Sequence, residues 1–414
     1  MPTDTLMKKS KFDILGYYPD TWGEKRLKYL CSINTGNKDT VDAVDDGIYP
    51  FYVRSPHIEH INSYSFDGEA ILMAGDGVGA GKVFHYVNEK FDYHQRVYNM
   101  HNFKYINGKY LFYYIKELFS IEIEKGSAKS TVDSIRLPML QNFIIPIPDI
   151  SEQKAIADFL DEKCEKTDKI IEEIEEQIQV LEDYKKSLIT ETVTKGLDKN
   201  VPMKDSGIDW IGEIPQDWNI KRLKYIGNAR NGLTYEPEDM VDEDGILVLR
   251  SSNIQDNKLS FEDNVYVKML IPKQLIVKEN DLLICSRNGS RNLIGKCALI
   301  DKNTAGNSYG AFMCVFRSEY NRFIRYVLLS DIFNYYLSNF LTATINQLTN
   351  MQLGNIKAPI PPIKDMECIA DYLDKECEKI DKTINDKKEQ LETIKEYKKS
   401  LIYEYVTGKK RVAC

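Results

Sequence analysis

No stretch of about 18 consecutive apolar residues occurs anywhere in this 414-residue chain, so it offers no candidate transmembrane helix. The opening residues, Met1 to Asp13, are polar and lack the apolar core of a secretory leader, which points to a cytoplasmic protein. The eight cysteines are scattered, with no Cys-x-x-Cys pair and no zinc spacing, and they fit free thiols in a reducing compartment. Two of them, Cys164 and Cys377, fall inside helical patterns and read as small core residues. Histidines number only five, and His85, His94 and His101 stand at a strand-and-loop spacing that resembles no metal set. A Walker pair, a serine elbow and an Asn-Pro-Pro-Tyr amino-methylation motif are all missing. The chain therefore reads as non-catalytic, with no catalytic residue, no metal and no cofactor of its own.

One segment imitates a nucleotide site. Gly75-Asp76-Gly77-Val78-Gly79-Ala80 satisfies a dinucleotide fingerprint after a strand-like run, but that site needs a helix next. Here another strand-like run follows. The Gly81-Lys82 pair departs from a P-loop, with Asp76 where the first glycine belongs and Val83 in place of Ser or Thr. A glycine-rich hairpin tip fits better, with an analogue in Arg287-Asn288-Gly289-Ser290-Arg291 leading to Gly295-Lys296. Glycine at such a tip lets backbone approach another surface closely.

What the chain does have is repetition. Residues 7–30 realign with 203–226 at a shift of 196, with 12 identities in 24 positions, and 146–194 realign with 359–407 at a shift of 213, with 26 in 49. The inserts between these frames barely match. A period near 200 is too long for a solenoid, whose repeats run roughly 20 to 50 residues. This is a duplicated half-protein with kept frames and diverged inserts, as suits a two-part reader of two different things. With 43% hydrophobic residues each half can bury a core.

Both inserts read as mixed α/β. Short β-rich runs occupy 49–53, 70–74 and 82–87 in the first, and 245–250, 281–286, 296–300 and 312–317 in the second. An aromatic helix-like stretch follows in each, at 110–119 and 323–341, and Ile-Pro motifs at 145–148 and 360–362 end the inserts. Next comes a heptad helix in each half. Its seam in the first is Leu160, Ile171, Ile174, Ile178, Leu181 and Leu188, and in the second Leu373, Ile380, Ile384, Leu391, Ile394 and Leu401. Polar Lys185, Lys387 and Lys398 interrupt the seams, weakening them locally and setting register. About 40 residues at 1.5 Å make a rod of roughly 60 Å. Pairing the two rods antiparallel within the chain would relate the halves by a pseudo-two-fold axis and hold one insert at each end. Of the net charge of −8, −6 falls on residues 151–199, so the acid excess sits on a helix and the inserts stay nearly neutral. Nucleic-acid binding remains open, because it depends on local patches.

These frames resemble a known family. Pro19, Trp22, Arg26 and Leu27 open the first half, and Pro215, Trp218, Arg222 and Leu223 the second. The closing frame carries Pro146, Pro148, Gln153, Ile156, Ala157, Leu160 and Asp161, with Met366 the one departure, where the first half has Gln153. Together they resemble the specificity subunit of a type I restriction-modification enzyme over essentially the whole chain. The resemblance implies two target recognition domains, residues 1–150 and 200–362. Two conserved spacer helices, 151–199 and 363–414, would form an antiparallel intramolecular coiled coil. It implies double-stranded DNA as ligand, each domain reading one half of a bipartite asymmetric sequence. Two modification subunits would methylate adenine with S-adenosylmethionine, and restriction subunits would cleave with ATP and magnesium.

Base-edge readout favours Arg or Lys on guanine and Asn or Gln on adenine. On that chemistry the candidate DNA-binding residues are Lys82, Gln95, Arg96, Lys129, Ser130 and Thr131 in the first insert. In the second they are Arg287, Asn288, Ser290, Arg291, Lys296, Asn307 and Tyr309. For any one of them phosphate contact is commoner than base contact. Two rival functions stay distinct: a coiled-coil scaffold whose inserts bind proteins, and an enzyme using the glycine-rich loop near Gly75.

Overall fold

A computed structural model of the chain describes residues 6–10, 16–126, 134–341 and 346–412. The chain divides into two compact units, Met1–Glu175 with Glu389–Cys414, and Glu176–Lys388. The first unit is thus discontinuous in sequence, closed by the C-terminal segment.

In the first unit the opening frame supplies β1 (Gly23–Arg26). A six-stranded sheet follows, built from β2 (Ser32–Thr35), β3 (Tyr49–Tyr52), β4 (Ile58–Ile61), β5 (Phe66–Ala74), β6 (Phe84–Tyr93) and β7 (Val97–His101), in the order β2-β7-β5-β6-β3-β4. The apolar run of β5 is buried on both faces, with Ile71, Leu72 and Met73 all at 0% exposure. Against it packs α1 (Gly108–Gly126), whose Tyr110, Leu111, Tyr114, Ile115 and Leu118 recur at helical spacing and are fully buried. Each such side chain contributes roughly 1.5–3 kcal/mol by leaving water. After α2 (Leu137–Asn142) and β8 (Ile144–Ile147), the 46-residue α3 (Ile150–Lys195) begins.

The second unit repeats the plan with its sheet divided. Its strands include β9 (Asn219–Arg222), β10 (Asn228–Asn231), β11 (Met240–Val241), β12 (Ile246–Leu249), β13 (Tyr266–Val267), β14 (Leu282–Cys285), β15 (Cys297–Leu299), β16 (Ser308–Tyr309) and β17 (Met313–Arg317). All of these but β9 form two four-stranded sheets, β10-β17-β14-β15 and β11-β13-β12-β16. Helices α4 (Asn321–Leu329), α5 (Asp331–Phe340) and α6 (Asn350–Asn355) follow, then β18 (Lys357–Ile360) and the 44-residue α7 (Ile363–Val406). The aromatic stretch at 323–341 is therefore two helices. Ser330 separates them because its hydroxyl accepts from the Ile332 N–H and caps α5.

The reason both frames recur is hydrogen bonding. β1 pairs antiparallel with β8, from Arg26↔Ile144 to Gly23↔Ile147, and β9 pairs the same way with β18, from Arg222↔Lys357 to Asn219↔Ile360. The opening motif is the partner of the closing motif in each unit. Pro146 and Pro359 accordingly lie inside these ribbons rather than past a strand end, which a two-stranded ribbon tolerates because each strand has a free edge.

The motif aspartates tie each long helix to its unit. Asp161 of α3 accepts from the Lys109 ammonium and from the Tyr113 hydroxyl at 2.9 Å. At the corresponding position Asp374 of α7 meets Arg322 and the Tyr326 hydroxyl. Where the frames depart, Gln153 is buried and holds the Asn107 N–H and the Tyr105 and Pro148 carbonyls, while Met366 is buried among apolar side chains.

Within each unit the two long helices run antiparallel. In the first, Lys395 meets Glu175 at 3.0 Å and Lys398 meets Asp168; in the second, Lys185 meets Asp381, Lys387 meets Gln177 and Lys388 lies 3.7 Å from Glu182. Partner numbers rise on one helix as they fall on the other. Leu160, Ile174, Ile178, Leu373, Ile380, Ile384, Leu391 and Leu401 are buried, and Ile171, Leu181, Leu188 and Ile394 half-buried. The three seam lysines each find an oxygen on the other helix, so no ammonium is stranded in the contact.

Candidate nucleic-acid interface

In the second unit, β12, β14 and β17 end together around a cleft of about 1030 Å³. Arg250 lies just beyond β12. Its Nη2 meets the Asp263 carboxylate at 2.8 Å, while its Nε, like the nearby Ser252 hydroxyl, has no partner among the described residues. The loop after β14 contributes Arg287 and Asn288. The exposed Phe312, just before β17, lies under the Arg287 guanidinium at 5.2 Å from ring centroid to Cζ. Asn288 donates to the Ser251 hydroxyl at 3.1 Å and accepts from the Ser290 N–H, which fixes the loop. Asn346 donates to the Gly289 carbonyl from the opposite wall. The cleft thus offers an arginine fork on an exposed aromatic face, with amides and hydroxyls beside it.

The remaining candidates of this unit divide. Ser290 and Arg291 are exposed on the same loop, with Arg291 donating to the Leu341 carbonyl. Lys296 is half-buried and donates to the Ile254 carbonyl at 2.7 Å, and loss of solvent lowers its pKa. Two assignments need correction. Tyr309 is 1% exposed in the core, its phenol pushed up to about 12 by burial, and no ligand can reach it. Asn307 spends its amide internally, accepting from the Leu247 N–H and donating to the Thr304 carbonyl.

The first unit has an equivalent place. The Gly75 N–H donates to the Arg96 carbonyl at 2.8 Å as the Ser286 N–H does to Phe312 at 3.0 Å. The Gly75 carbonyl accepts from Ile135 as the Ser286 carbonyl does from Leu348, both at 2.7 Å. Asp76 bridges to Ser134 as Arg287 does to Gln347. Positions 76 and 287 are therefore equivalent, as are 96 and 312. One pair holds Arg287 over Phe312; the other holds Asp76 beside Arg96 at 3.6 Å, with Arg54 on the same carboxylate at 3.2 Å. The backbone is shared and the side chains are not.

Of the other first-unit candidates, Lys82 is exposed on the loop, and Gln95 donates to Asp39 at 2.6 Å. Lys129, Ser130 and Thr131 lie outside the described residues. The histidines are separately engaged: His94 Nδ1 accepts from the Arg96 N–H, and a His101 ring nitrogen meets the Asn34 amide at 3.0 Å. His85 packs on the Tyr52 ring, and desolvation lowers its pKa. The glycine-rich loop leads from β5 into β6 through an antiparallel ladder, Met73↔Phe84 among its pairs, so no helix N-terminus is present for a pyrophosphate. Its last glycine serves internal packing: a Cβ on Gly81 would lie 2.3 Å from Ile123, and one on the equivalent Gly295 2.5 Å from Phe333. Asp76, Arg54, Arg250 and Phe312 join these sites without standing among the candidates that base-edge chemistry picks from the sequence. Phe312 looked like the first core residue of a strand, although it stands one residue outside it. The two arginines carried a fainter signal, a cation directly after an apolar strand.

Residues 19–180 and 215–393 match the family described as Type I restriction modification DNA specificity domain, so the match covers well over half the chain. The Type I restriction enzyme MjaVIII specificity subunit of Methanocaldococcus jannaschii is 29% identical over 95% of this chain and 94% of its own length. The putative type I restriction enzyme MjaX specificity subunit of the same organism is 30% identical over 73% of this chain and 68% of its own. Among solved structures, a chain from work on complex assembly and conformational transition of the type I R-M system superposes with a TM-score of 0.68. It is 14% identical and covers 94% of this chain and 98% of that one, a likeness of fold.

Proposed function

The chain belongs to the family of type I restriction-modification DNA specificity subunits, and from that premise we propose that each unit reads one half of a bipartite, asymmetric DNA sequence. Residues 1–150 and 200–362 are the two target recognition domains. Residues 151–199 and 363–414 are spacers that form an antiparallel intramolecular coiled coil, set the distance between half-sites and dock two modification subunits. The reactions belong to those partners: adenine methylation with S-adenosylmethionine, and, with restriction subunits, cleavage using ATP and magnesium. The chain itself is non-catalytic, binds no cofactor and works in the cytoplasm on double-stranded DNA.

The observation that carries this reading is the contrast between equivalent positions. Asp76 and Arg96 occupy the backbone places of Arg287 and Phe312. A scaffold that holds two chemically different side-chain pairs at one structural address suits two different base sequences. Arginine donates a bidentate fork to guanine O6 and N7, and an aromatic ring makes apolar contact with a thymine methyl. An Asp-tethered arginine presents a different pattern of donors and acceptors. A positioning helix suits the spacing role because half-sites on one face of B-DNA lie a turn or a multiple apart, about 34–36 Å.

Selection from a pool of random duplexes by the complex with its modification subunit tests the reading. Enrichment of one two-part motif with a fixed gap is the expected result. An assembled complex that enriches no sequence would leave the scaffold role in its place.

A further inference from the structure

The opening repeat contains one unbroken identical run, Lys25-Arg26-Leu27-Lys28-Tyr29 and Lys221-Arg222-Leu223-Lys224-Tyr225. In each unit it ends in a single 3-10 turn, Leu27–Tyr29 and Leu223–Tyr225. The leucine is completely buried and the other four residues are exposed, in the same pattern twice. Tyr29 is 62% exposed and Tyr225 71%. The Lys28 ammonium stands 5.3 Å from the Tyr29 ring centroid, and that of Lys224 5.5 Å from Tyr225. Arg26 donates to the Asn142 side-chain oxygen, and Lys25 lies over the Tyr105 ring. Among the described residues none of these six cations forms an ion pair.

Burial accounts for the leucine and for no other residue of the run. Half of the positions in this frame have changed between the copies, yet the four solvent-facing side chains of this five-residue run have not. Identical exposed groups in two units whose reading pairs differ serve something that is the same in both places. Three cations without counter-ions, beside a phenol that can donate a hydrogen bond, match a repeating anionic surface. The sugar–phosphate backbone is such a surface, and it carries no sequence information. In the second unit the turn and the cleft stand at opposite ends of β10, with Leu233 just past that strand in the cleft wall. The turn is therefore within reach of the same duplex.

We infer that these two turns are phosphate-binding sites, one per unit, that seat the duplex whatever its sequence; this rests on the DNA-reading function proposed above. The test uses the whole chain in complex with its modification subunit and a random-sequence duplex as probe. Affinity is measured across a salt series for wild type and for Lys25→Gln/Arg26→Gln/Lys28→Gln combined with Lys221→Gln/Arg222→Gln/Lys224→Gln. Each cation that meets a phosphate contributes about −0.9 to the slope of log affinity against log salt. The expected result is a slope shallower by several such steps, the same loss on a motif-bearing duplex, and an unchanged methylated motif. A Lys28→Arg/Lys224→Arg variant should keep the wild-type slope. An unchanged slope overturns the inference. So does a variant chain that no longer assembles with the modification subunit, since the turns would then be a protein-docking surface. Wild type that methylates no motif at all would count against the function itself, a separate outcome.

Discussion

Arg287 and Phe312 are held as a unit, guanidinium over ring, by backbone hydrogen bonds from Ser286 and Arg287 to the Phe312 carbonyl. On the proposed reading, a fork mounted on a fixed backbone and resting on a ring favours discrimination over adaptable contact. Arg287→Ala should cost about 1–3 kcal/mol on the cognate duplex and relax one position of one half-site. Motif mapping with the variant checks it, and an intact motif at full affinity would remove Arg287 from the reading pair. The cysteines give a prediction independent of DNA. Burial pushes Cys31, Cys297 and Cys314 up to about 12, whereas Cys368 is exposed on α7. Among the described cysteines only Cys368 should be alkylated in the native chain, with the others reacting after denaturation; mass mapping of labelled peptides decides it. At this level the sequence was half legible. Arg287 and Asn288 stood out because polar residues around a glycine between two strands must form an exposed tip. Asn307 and Tyr309 looked similar but are consumed internally, one by Leu247 and Thr304, the other by the core. Residue type does not reveal which polar groups the backbone claims.

The long helices were more legible, since heptad spacing is a property of the chain as written; the ribbons that clamp them were not, because the proline motifs read as the ends of strands while Pro146 and Pro359 lie inside them. What spacing could not show is why the motifs recur. Asp161 is invariant between the halves because it accepts from Lys109 and Tyr113 of α1, and Asp374 likewise serves α4. Asp161→Ala should therefore destabilise the first unit by about 1–3 kcal/mol, because two donors lose their acceptor. Thermal melting of the full chain would show it, and an unaltered transition would deny the anchor. The end of α7 is another such place. Gly408 has a φ of 69°, and a Cβ there would lie 2.4 Å from Pro19 and 2.8 Å from Trp22. Gly408→Ala combines left-handed strain with a clash, and should lower the same transition. Heptads gave no hint of this, because Pro19 and Trp22 lie at the other end of the sequence.

Across the whole chain, duplication explains more than any single site. The opening and closing frames are bonded to each other within each unit, so an insert can diverge while its mounting stays constant. On the proposed reading that arrangement would let one half-site change without the other, and the closure of the first unit by Glu389–Cys414 makes the C-terminal segment part of its mounting. Replacing residues 200–362 by the corresponding segment of a relative should accordingly change one half of the motif and spare the other, as read by motif mapping. The most direct test of the central claim is methylome sequencing of a host that expresses this chain with its modification subunit, against the same host without the chain. The account predicts methyladenine at one bipartite asymmetric motif with a fixed gap. An assembled complex that adds no methylated motif would contradict it.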